Sequence, residues 1–171
     1  MILQRGGVAK ENDVYATPFS LFNRFNSVFR FTCDVCALAE NTKVPEKYYT
    51  PEMDGLKQNW SGVCWMNPPF SEMELWVEKA RISADNGCVV VSLLPSHTDT
   101  IWYFRHVHKV ADVIMPIKGR LRFRKGEFNQ KTLKGEKIQS KSIYGAPYGH
   151  FILIWGLENL AIGNVKTRRE W

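Results

Sequence analysis

The chain has 171 residues, a net charge of +6, 44% hydrophobic residues and 13% aromatic residues. This composition excludes a disordered protein, and the length favours a single globular domain over residues 1–171 with a proper core. No apolar run reaches the length of a membrane span, and the N-terminal segment of residues 1–7 is too short and too polar for a signal peptide. We therefore expect a cytoplasmic protein that binds no membrane.

Four cysteines occur in the sequence, and they bear on both the redox compartment and metal binding. Three of them lie inside apolar runs, where a free thiol packs as a small hydrophobic side chain. Cys33 and Cys36 have the Cys-x-x-Cys spacing of some zinc sites, but no second pair of Cys or His follows at a suitable distance. The sequence therefore predicts reduced cysteines and no metal.

The first predicted helix begins at Thr17 and ends near residues 26–29. Thr17 is a suitable N-cap, and Pro18 suits the first helical position because its missing N–H would have no partner there. Apolar residues then recur at helical spacing through Val28, which predicts one buried face.

A strand is predicted over residues 29–36, with Asp34 near its carboxyl end. An acidic residue at that position can bind a hydroxyl or amine of a cofactor, or it can cap the turn that follows. The sequence leaves both roles open. Residues 37–53 are polar and lack periodicity, so we expect irregular structure there.

A second strand leads directly into Asn67-Pro68-Pro69-Phe70. The two prolines donate no backbone hydrogen bond, so this segment cannot continue a central sheet. The Asn67 amide and the backbone carbonyls are therefore available to accept the hydrogens of an exocyclic amine, while Phe70 can stack on its base. The alternative is an ordinary Pro-Pro turn after a buried strand.

The second predicted helix follows this corner. Residues 71–74 have the pattern of a capping box, and Asn86-Gly87 marks the helix end. Between them, apolar residues at helical spacing predict a buried stripe: Met73, Trp76, Val77, Ala80 and Ala84.

Strands and helices alternate through the rest of the chain. Residues 88–95 form an almost unbroken apolar run, typical of a strand that is buried on both faces. The other predicted elements are a helix over 98–110 and strands over 112–117, 119–123 and 150–155. This alternation predicts an α/β fold, a mostly parallel sheet with helices on both faces. Ligands bind beyond the carboxyl ends of such strands, so we expect Asp34 and residues 67–70 to share one site.

Positive charge is concentrated in one segment. Between Lys118 and Lys141 there are nine Lys or Arg residues and two Glu, a net charge of +7. Residues 118–149 are therefore predicted as a basic loop that contacts the phosphates of a nucleic acid, DNA or RNA, although a solvated loop without a partner is the alternative. The candidate phosphate-binding residues are Lys118, Arg120, Arg122, Arg124, Lys125 and Lys131.

A set of motifs occurs in a fixed order from residue 13 to residue 155: Asp13-x-Tyr15-x-Thr17-Pro18, Phe31-Thr32-Cys33-Asp34-Val35-Cys36-Ala37, Asn41, Asp54-Gly55-Leu56-x-x-x-Trp60, Asn67-Pro68-Pro69-Phe70, Leu93-Leu94-Pro95 and Gly119-Arg120-x-x-Phe123. In this order the chain resembles the phage-type DNA adenine methyltransferases, the Dam-like phage family. The resemblance covers nearly the whole chain. One common feature of larger methyltransferases, a Gly-x-Gly motif after the first strand, is missing.

The resemblance implies a reduced Rossmann-like fold that transfers a methyl group from S-adenosylmethionine to the exocyclic amine of a flipped adenine in double-stranded DNA. It further implies that Tyr15, Thr17 and Pro18 line the methionine end of the cofactor. Asp34 would contact the cofactor near the first strand, and Asp54 would lie near its adenine ring. The target base would be held by residues 67–70, with Asn67, Pro68, Pro69 and Phe70 as the catalytic set. If the protein is encoded by a phage, it would act in the host cytoplasm.

Two other readings compete with DNA methylation. The same corner could present a planar amide or amine of a protein glutamine or of RNA, and the basic segment favours nucleic acid over protein. The chain could also be a methyltransferase-like protein that binds nucleic acid without catalysis, which the missing glycine motif favours slightly.

Overall fold

The structure is a computed structural model that describes residues 16–124 and 143–160, with side chains at 16–122 and 146–160. It contains an α/β arrangement of three helices and seven strands in these ranges. The helices are α1 (Phe19–Phe29), α2 (Met73–Asp85) and α3 (Ile101–His106). The strands are β1 (Cys33–Asp34), β2 (Val63–Met66), β3 (Val89–Pro95), β4 (Val113–Pro116), β5 (Arg122–Arg124), β6 (Ile143–Gly145) and β7 (His150–Trp155).

Five strands form the main sheet in the order β1-β2-β3-β7-β4. The first three are parallel, with Asp34 opposite Trp65 and Cys64 opposite Val90. β7 then enters between β3 and β4 and runs antiparallel to both. The sheet was predicted to be mostly parallel, but it is parallel only over its first three strands and antiparallel at its last two pairings. β5 and β6 form a separate antiparallel pair.

The core lies on both faces of this sheet. α2 covers one face, where its predicted stripe is buried in full against the sheet: Met73, Trp76, Val77, Ala80 and Ala84. α1 covers the other face, where Phe22 lies edge-on to Trp65 at a ring-centroid distance of 5.4 Å. Burial of aromatic rings of this size stabilises the packing of each helix against the sheet.

The helix boundaries differ from the prediction at the starts of α1 and α2 and at both ends of α3. Pro18 is the N-cap of α1 rather than its first residue, because its ψ of 133° is extended and only its carbonyl accepts from Leu21 and Phe22. The predicted capping box at 71–74 is wrong. Residues Phe70–Glu72 form a 3-10 turn after the prolines, and α2 begins with no side-chain cap.

α3 is shorter than the predicted helix over 98–110. It ends because Val107 leaves the helical region of backbone space and Lys109 has a left-handed φ of 59°. Val28, placed on the apolar face of α1 by the sequence, is instead 67% exposed.

β1 contains only Cys33–Asp34 of the predicted 29–36. It lies at the sheet edge, where its outer neighbour is a single bridge from Asp34 to Tyr48 in the otherwise irregular segment 37–53. Backbone bonds continue on its inner side, from Thr32 N to Val63 O and from Val35 N to Trp65 O. No helix in the described ranges is both long and apolar enough to cross a bilayer.

Candidate active site

The carboxyl ends of β1 and β2 meet at one edge of the sheet, as the sequence predicted. The N–H of Val35 donates to the Trp65 carbonyl at 3.0 Å, so the residues that follow each strand lie side by side. The backbone N–H of Asn67 contacts the thiol of Cys36, whose pKa burial raises well above its ordinary value. The structure therefore brings the Asn-Pro-Pro-Phe corner next to the end of β1.

Asp34 is 4% exposed, and burial raises the pKa of its carboxyl to about 6. One carboxylate oxygen accepts from the Lys43 backbone N–H at 3.2 Å and from the Thr42 hydroxyl at 3.4 Å. Asp34 thus holds the following turn, one of the two roles that the sequence left open. Its contact with a cofactor stays a prediction.

Thr17 and Pro18 reach the same edge through the start of α1. Thr17 is buried, and the Lys43 ammonium lies 4.4 Å above the ring of Phe19, the first residue of the helix. The turn that Asp34 holds therefore packs against the amino end of α1. Tyr15, the third residue of this predicted group, lies outside the described residues.

Asp54 lies in a tight turn close to the end of β1. Its φ is 52°, and its carboxylate forms a 2.9 Å salt bridge with Lys57, whose side chain is 79% exposed. The next residue, Gly55, packs against the Val35 carbonyl and the Trp76 ring with no room for a Cβ atom. Close backbone packing therefore fixes Asp54 beside β1.

Phe70 belongs to an aromatic cluster at this edge, formed by Phe70, His97, Tyr148 and His150. The Phe70 ring lies 6.1 Å from both the Tyr148 and the His150 rings, and Tyr148 lies 4.6 Å from His97. Tyr148 and His150 were missed as site residues by sequence reasoning. The missing signal is the direction of β7: an antiparallel strand beside β3 begins where β3 ends, with His150 opposite Pro95.

His150 is 1% exposed, and burial lowers the pKa of its imidazole to about 4. His97 and Arg120 lie near enough to lower that pKa further, whereas a backbone contact with Tyr148 raises it. The ring is therefore neutral at pH 7, and it packs next to Phe70 as an uncharged aromatic ring.

The structure describes the side chains of only three of the six predicted DNA-binding residues. Lys118, Arg120 and Arg122 are exposed, and the two arginines line a shared groove with α1. Arg124 lies in β5 and its side chain is not described, while Lys125 and Lys131 lie outside the described residues. Among the described residues, no group of three or more His, Cys, Asp or Glu is placed to hold a metal.

Comparison with known proteins gives one family. The chain matches the family DNA N-6-adenine-methyltransferase (Dam) over residues 7–152. It is 32% identical over 145 residues to the DNA N-6-adenine-methyltransferase of Haemophilus phage HP1, covering 81% of this chain and 83% of the relative. It is also 30% identical over 105 residues to the protein of that name from Escherichia phage T1, covering 60% of this chain and 44% of the relative. The match spans β1, β2, β3 and the whole candidate site, so the chain belongs to the DNA N-6-adenine-methyltransferase (Dam) family.

Proposed function

We propose that this protein transfers a methyl group from S-adenosylmethionine to the N6 amine of an adenine flipped out of double-stranded DNA. The observation that carries the proposal is the placement of Asn67-Pro68-Pro69-Phe70 beside the end of β1, in a chain that belongs to an adenine methyltransferase family. An amide, a fixed carbonyl and an aromatic ring in sequence suit a planar base with an exocyclic amine.

The residues near the carboxyl edge fit this cofactor. S-adenosylmethionine carries a cationic sulfur, an amine and ribose hydroxyls, and each of these is complemented by carboxylates and hydroxyls. Asp34, Asp54 and Thr17 supply such groups within the same part of the fold, and Asp34 lies at the end of β1. When bound, the cofactor supplies a methyl group on a positively charged sulfur, from which an amine nitrogen can take it.

The role of Asn67 follows from the chemistry of adenine. The N6 lone pair is delocalised into the ring, which makes the amine a poor nucleophile. The Asn67 side-chain oxygen and the Pro68 carbonyl each accept a hydrogen bond from one N–H of the amine. These two hydrogen bonds favour a tetrahedral and more nucleophilic nitrogen. Phe70 stacks on the base and holds it in line for transfer, so that positioning supplies much of the acceleration.

The prolines fix this geometry before substrate arrives. Pro69 has φ of −60° and ψ of 135°, an extended conformation, and the 3-10 turn Phe70–Glu72 follows at once. Proline restricts its own backbone and that of the residue before it, so Asn67 and Pro68 lose little freedom on binding. This rigidity favours a preformed acceptor pair.

DNA is the proposed partner because of the exposed cations. Lys118, Arg120 and Arg122 are exposed, and the two arginines line a groove with the first two turns of α1. We assign these residues, together with Arg124, Lys125 and Lys131, to the DNA backbone, where Lys and Arg contacts supply affinity without sequence preference. The phage relatives suggest that this takes place in the cytoplasm of the host, within one Rossmann-like domain.

The variant Asn67→Ala tests the proposal. We expect methyl incorporation from tritiated S-adenosylmethionine into duplex DNA to fall by at least about 100-fold, because one of the two acceptors of the amine is lost. Asn59→Ala is the matched control, since Asn59 is exposed and precedes β2, whereas the corner follows the other end of that strand. It should retain the wild-type rate.

Two further measurements separate the possible causes of a loss. Calorimetry with S-adenosylmethionine should give the same affinity for Asn67→Ala as for the wild type, which locates the defect in the target site. Parallel assays with RNA and with protein as methyl acceptors should give no incorporation by the wild type. A variant that methylates DNA at the wild-type rate with a normal fold would refute the role of Asn67.

A further inference from the structure

A groove of about 760 Å³ lies between the outer face of α1 and the residues that lead into β5. One wall comes from the first two turns of α1 and the other from residues 120–122. The lining includes Pro18, Leu21, Arg24, Arg120, Leu121 and Arg122. The groove is thus built by two segments that are about one hundred residues apart in the chain.

The groove has a charged rim and an apolar floor. Arg24, Arg120 and Arg122 are exposed, none of them takes part in an ion pair among the described residues, and no acidic residue belongs to the lining. Leu21 and Leu121 are half-buried between them. A polyanion with apolar rings between its charges complements this pattern, and a sugar-phosphate strand has that composition.

The groove lies close to residues of the candidate active site at two points. Pro18, one of its lining residues, follows the buried Thr17. Arg120 is close enough to lower the pKa of His150, whose ring lies 6.1 Å from that of Phe70. A strand lying in the groove would therefore lie on the same side of the fold as Arg120, whose charge reaches the aromatic cluster of the candidate site.

We propose that this groove binds one strand of the DNA backbone next to the flipped adenine, with Arg24 of α1 as a phosphate contact opposite Arg120 and Arg122. The inference rests on the proposed function for the identity of the polyanion. It adds α1 to the DNA-binding surface, and it gives the arginines before β5 a partner across the groove. The apolar floor receives the deoxyribose rings while the guanidinium groups bind phosphates.

The test is the salt dependence of binding to a fluorescein-labelled 20-base-pair duplex, measured by anisotropy without cofactor. Each phosphate contact adds close to one unit to the slope of log affinity against log salt. Arg24→Gln should weaken binding about fivefold at 0.1 M salt and reduce that slope by about one. Arg24→Lys, which keeps the charge, should restore most of the slope.

Arg81→Gln is the matched control. Arg81 is also a helical arginine, but it lies on α2, on the other face of the sheet, where it forms a 2.7 Å salt bridge with Asp85. Its loss removes the same charge and should leave the slope unchanged. Thermal unfolding followed by circular dichroism confirms that both variants fold.

The outcomes separate the two proposals. If the wild type binds and methylates duplex DNA but Arg24→Gln has the same salt slope as the wild type, the groove assignment is overturned and the proposed function stands. Equal losses in Arg24→Gln and Arg81→Gln also overturn it, because the effect would then be one of net charge. A wild type that neither binds nor methylates duplex DNA overturns the proposed function itself.

Discussion

Two buried titratable residues at the candidate site have pKa values shifted in opposite senses. Burial raises the pKa of Asp34 from 3.8 to about 6, and burial lowers the pKa of His150 from 6.5 to about 4. Between pH 4 and 6, folded Asp34 binds more protons than the unfolded chain, so its contribution to stability falls as pH rises. Folded His150 binds fewer protons there, so its contribution rises with pH.

From these opposing effects we predict how the free energy of unfolding of two variants changes with pH. Each shift corresponds to about 3 kcal/mol across the range, and in the wild type the two offset each other. Asp34→Asn should therefore show a free energy of unfolding that rises between pH 4 and 6.5, relative to the wild type. His150→Gln should show one that falls.

Urea unfolding at a series of pH values measures both slopes. The comparison of slopes is independent of any constant loss of stability that a buried substitution causes. Curves for both variants that run parallel to the wild type would contradict the assigned pKa shifts.

Tyr148 is expected to position the Phe70 ring, because the two ring centroids are 6.1 Å apart at an angle of 62°. Tyr148→Ala should lower kcat by about tenfold through misplacement of the target base, with the affinity for S-adenosylmethionine unchanged. Tyr148→Phe keeps the ring contact and should retain more activity than the alanine variant. Steady-state kinetics with duplex DNA distinguishes this role from a purely structural one, which would lower cofactor binding as well.

Among the secondary-structure elements, those with long unbroken patterns were predictable from sequence. Residues 88–95 gave β3 within one residue, 150–155 gave β7, and the buried stripe of α2 is confirmed at every position. Their hydrophobic patterns fill a whole strand or several helical turns, so no tertiary contact is needed to define them. The prediction for β1 was too long, because the outer edge of this strand pairs with an irregular segment, and local periodicity does not indicate such a pairing.

The turn at Asp54-Gly55 shows how close packing supports the site. A Cβ atom at Gly55 would collide with the Val35 carbonyl and come within 3.0 Å of the Trp76 ring. Gly55→Ala should therefore destabilise the fold by about 2 to 3 kcal/mol, since neither neighbour can move freely. It should also displace Asp54 and weaken binding of S-adenosylmethionine.

Gly87→Ala provides the comparison for that variant. Gly87 has a φ of +94° but no atom within 4 Å of its Cβ position, so only backbone strain of about 1 kcal/mol is expected. Chemical denaturation measures both losses, and calorimetry measures cofactor affinity. Equal losses of stability with unchanged cofactor binding would remove the packing argument.

For the molecule as a whole, the meeting of β1 and β2 at one edge was predictable, whereas the aromatic cluster around Phe70 was not. Asp34 and Asn67 each follow an apolar strand, and parallel strands place their carboxyl ends together. Tyr148 and His150 reach the same edge only because β7 inserts antiparallel between β3 and β4. Strand order depends on contacts distant in sequence, which a single chain does not reveal.

The groove between α1 and residues 120–122 could not be predicted from the sequence for the same reason. The charge of the segment after Lys118 was visible, but its neighbour across the groove, Arg24, belongs to a helix read only for its buried face. A surface formed by two distant segments becomes visible only in the folded chain. Arg24, Arg120 and Arg122 therefore lie together on the side of the sheet that carries α1.

Under the proposed function, adenine N6 is methylated at the Asn-Pro-Pro-Phe corner. The most direct test expresses the wild type and Asn67→Ala in a bacterial host that lacks adenine methylation, digests a resident plasmid to nucleosides, and identifies the methylated base by mass spectrometry. We predict N6-methyladenine with the wild type and at least about a 100-fold lower amount with Asn67→Ala. Methylation of another base by the wild type, or equal N6-methyladenine from both proteins, would contradict the account.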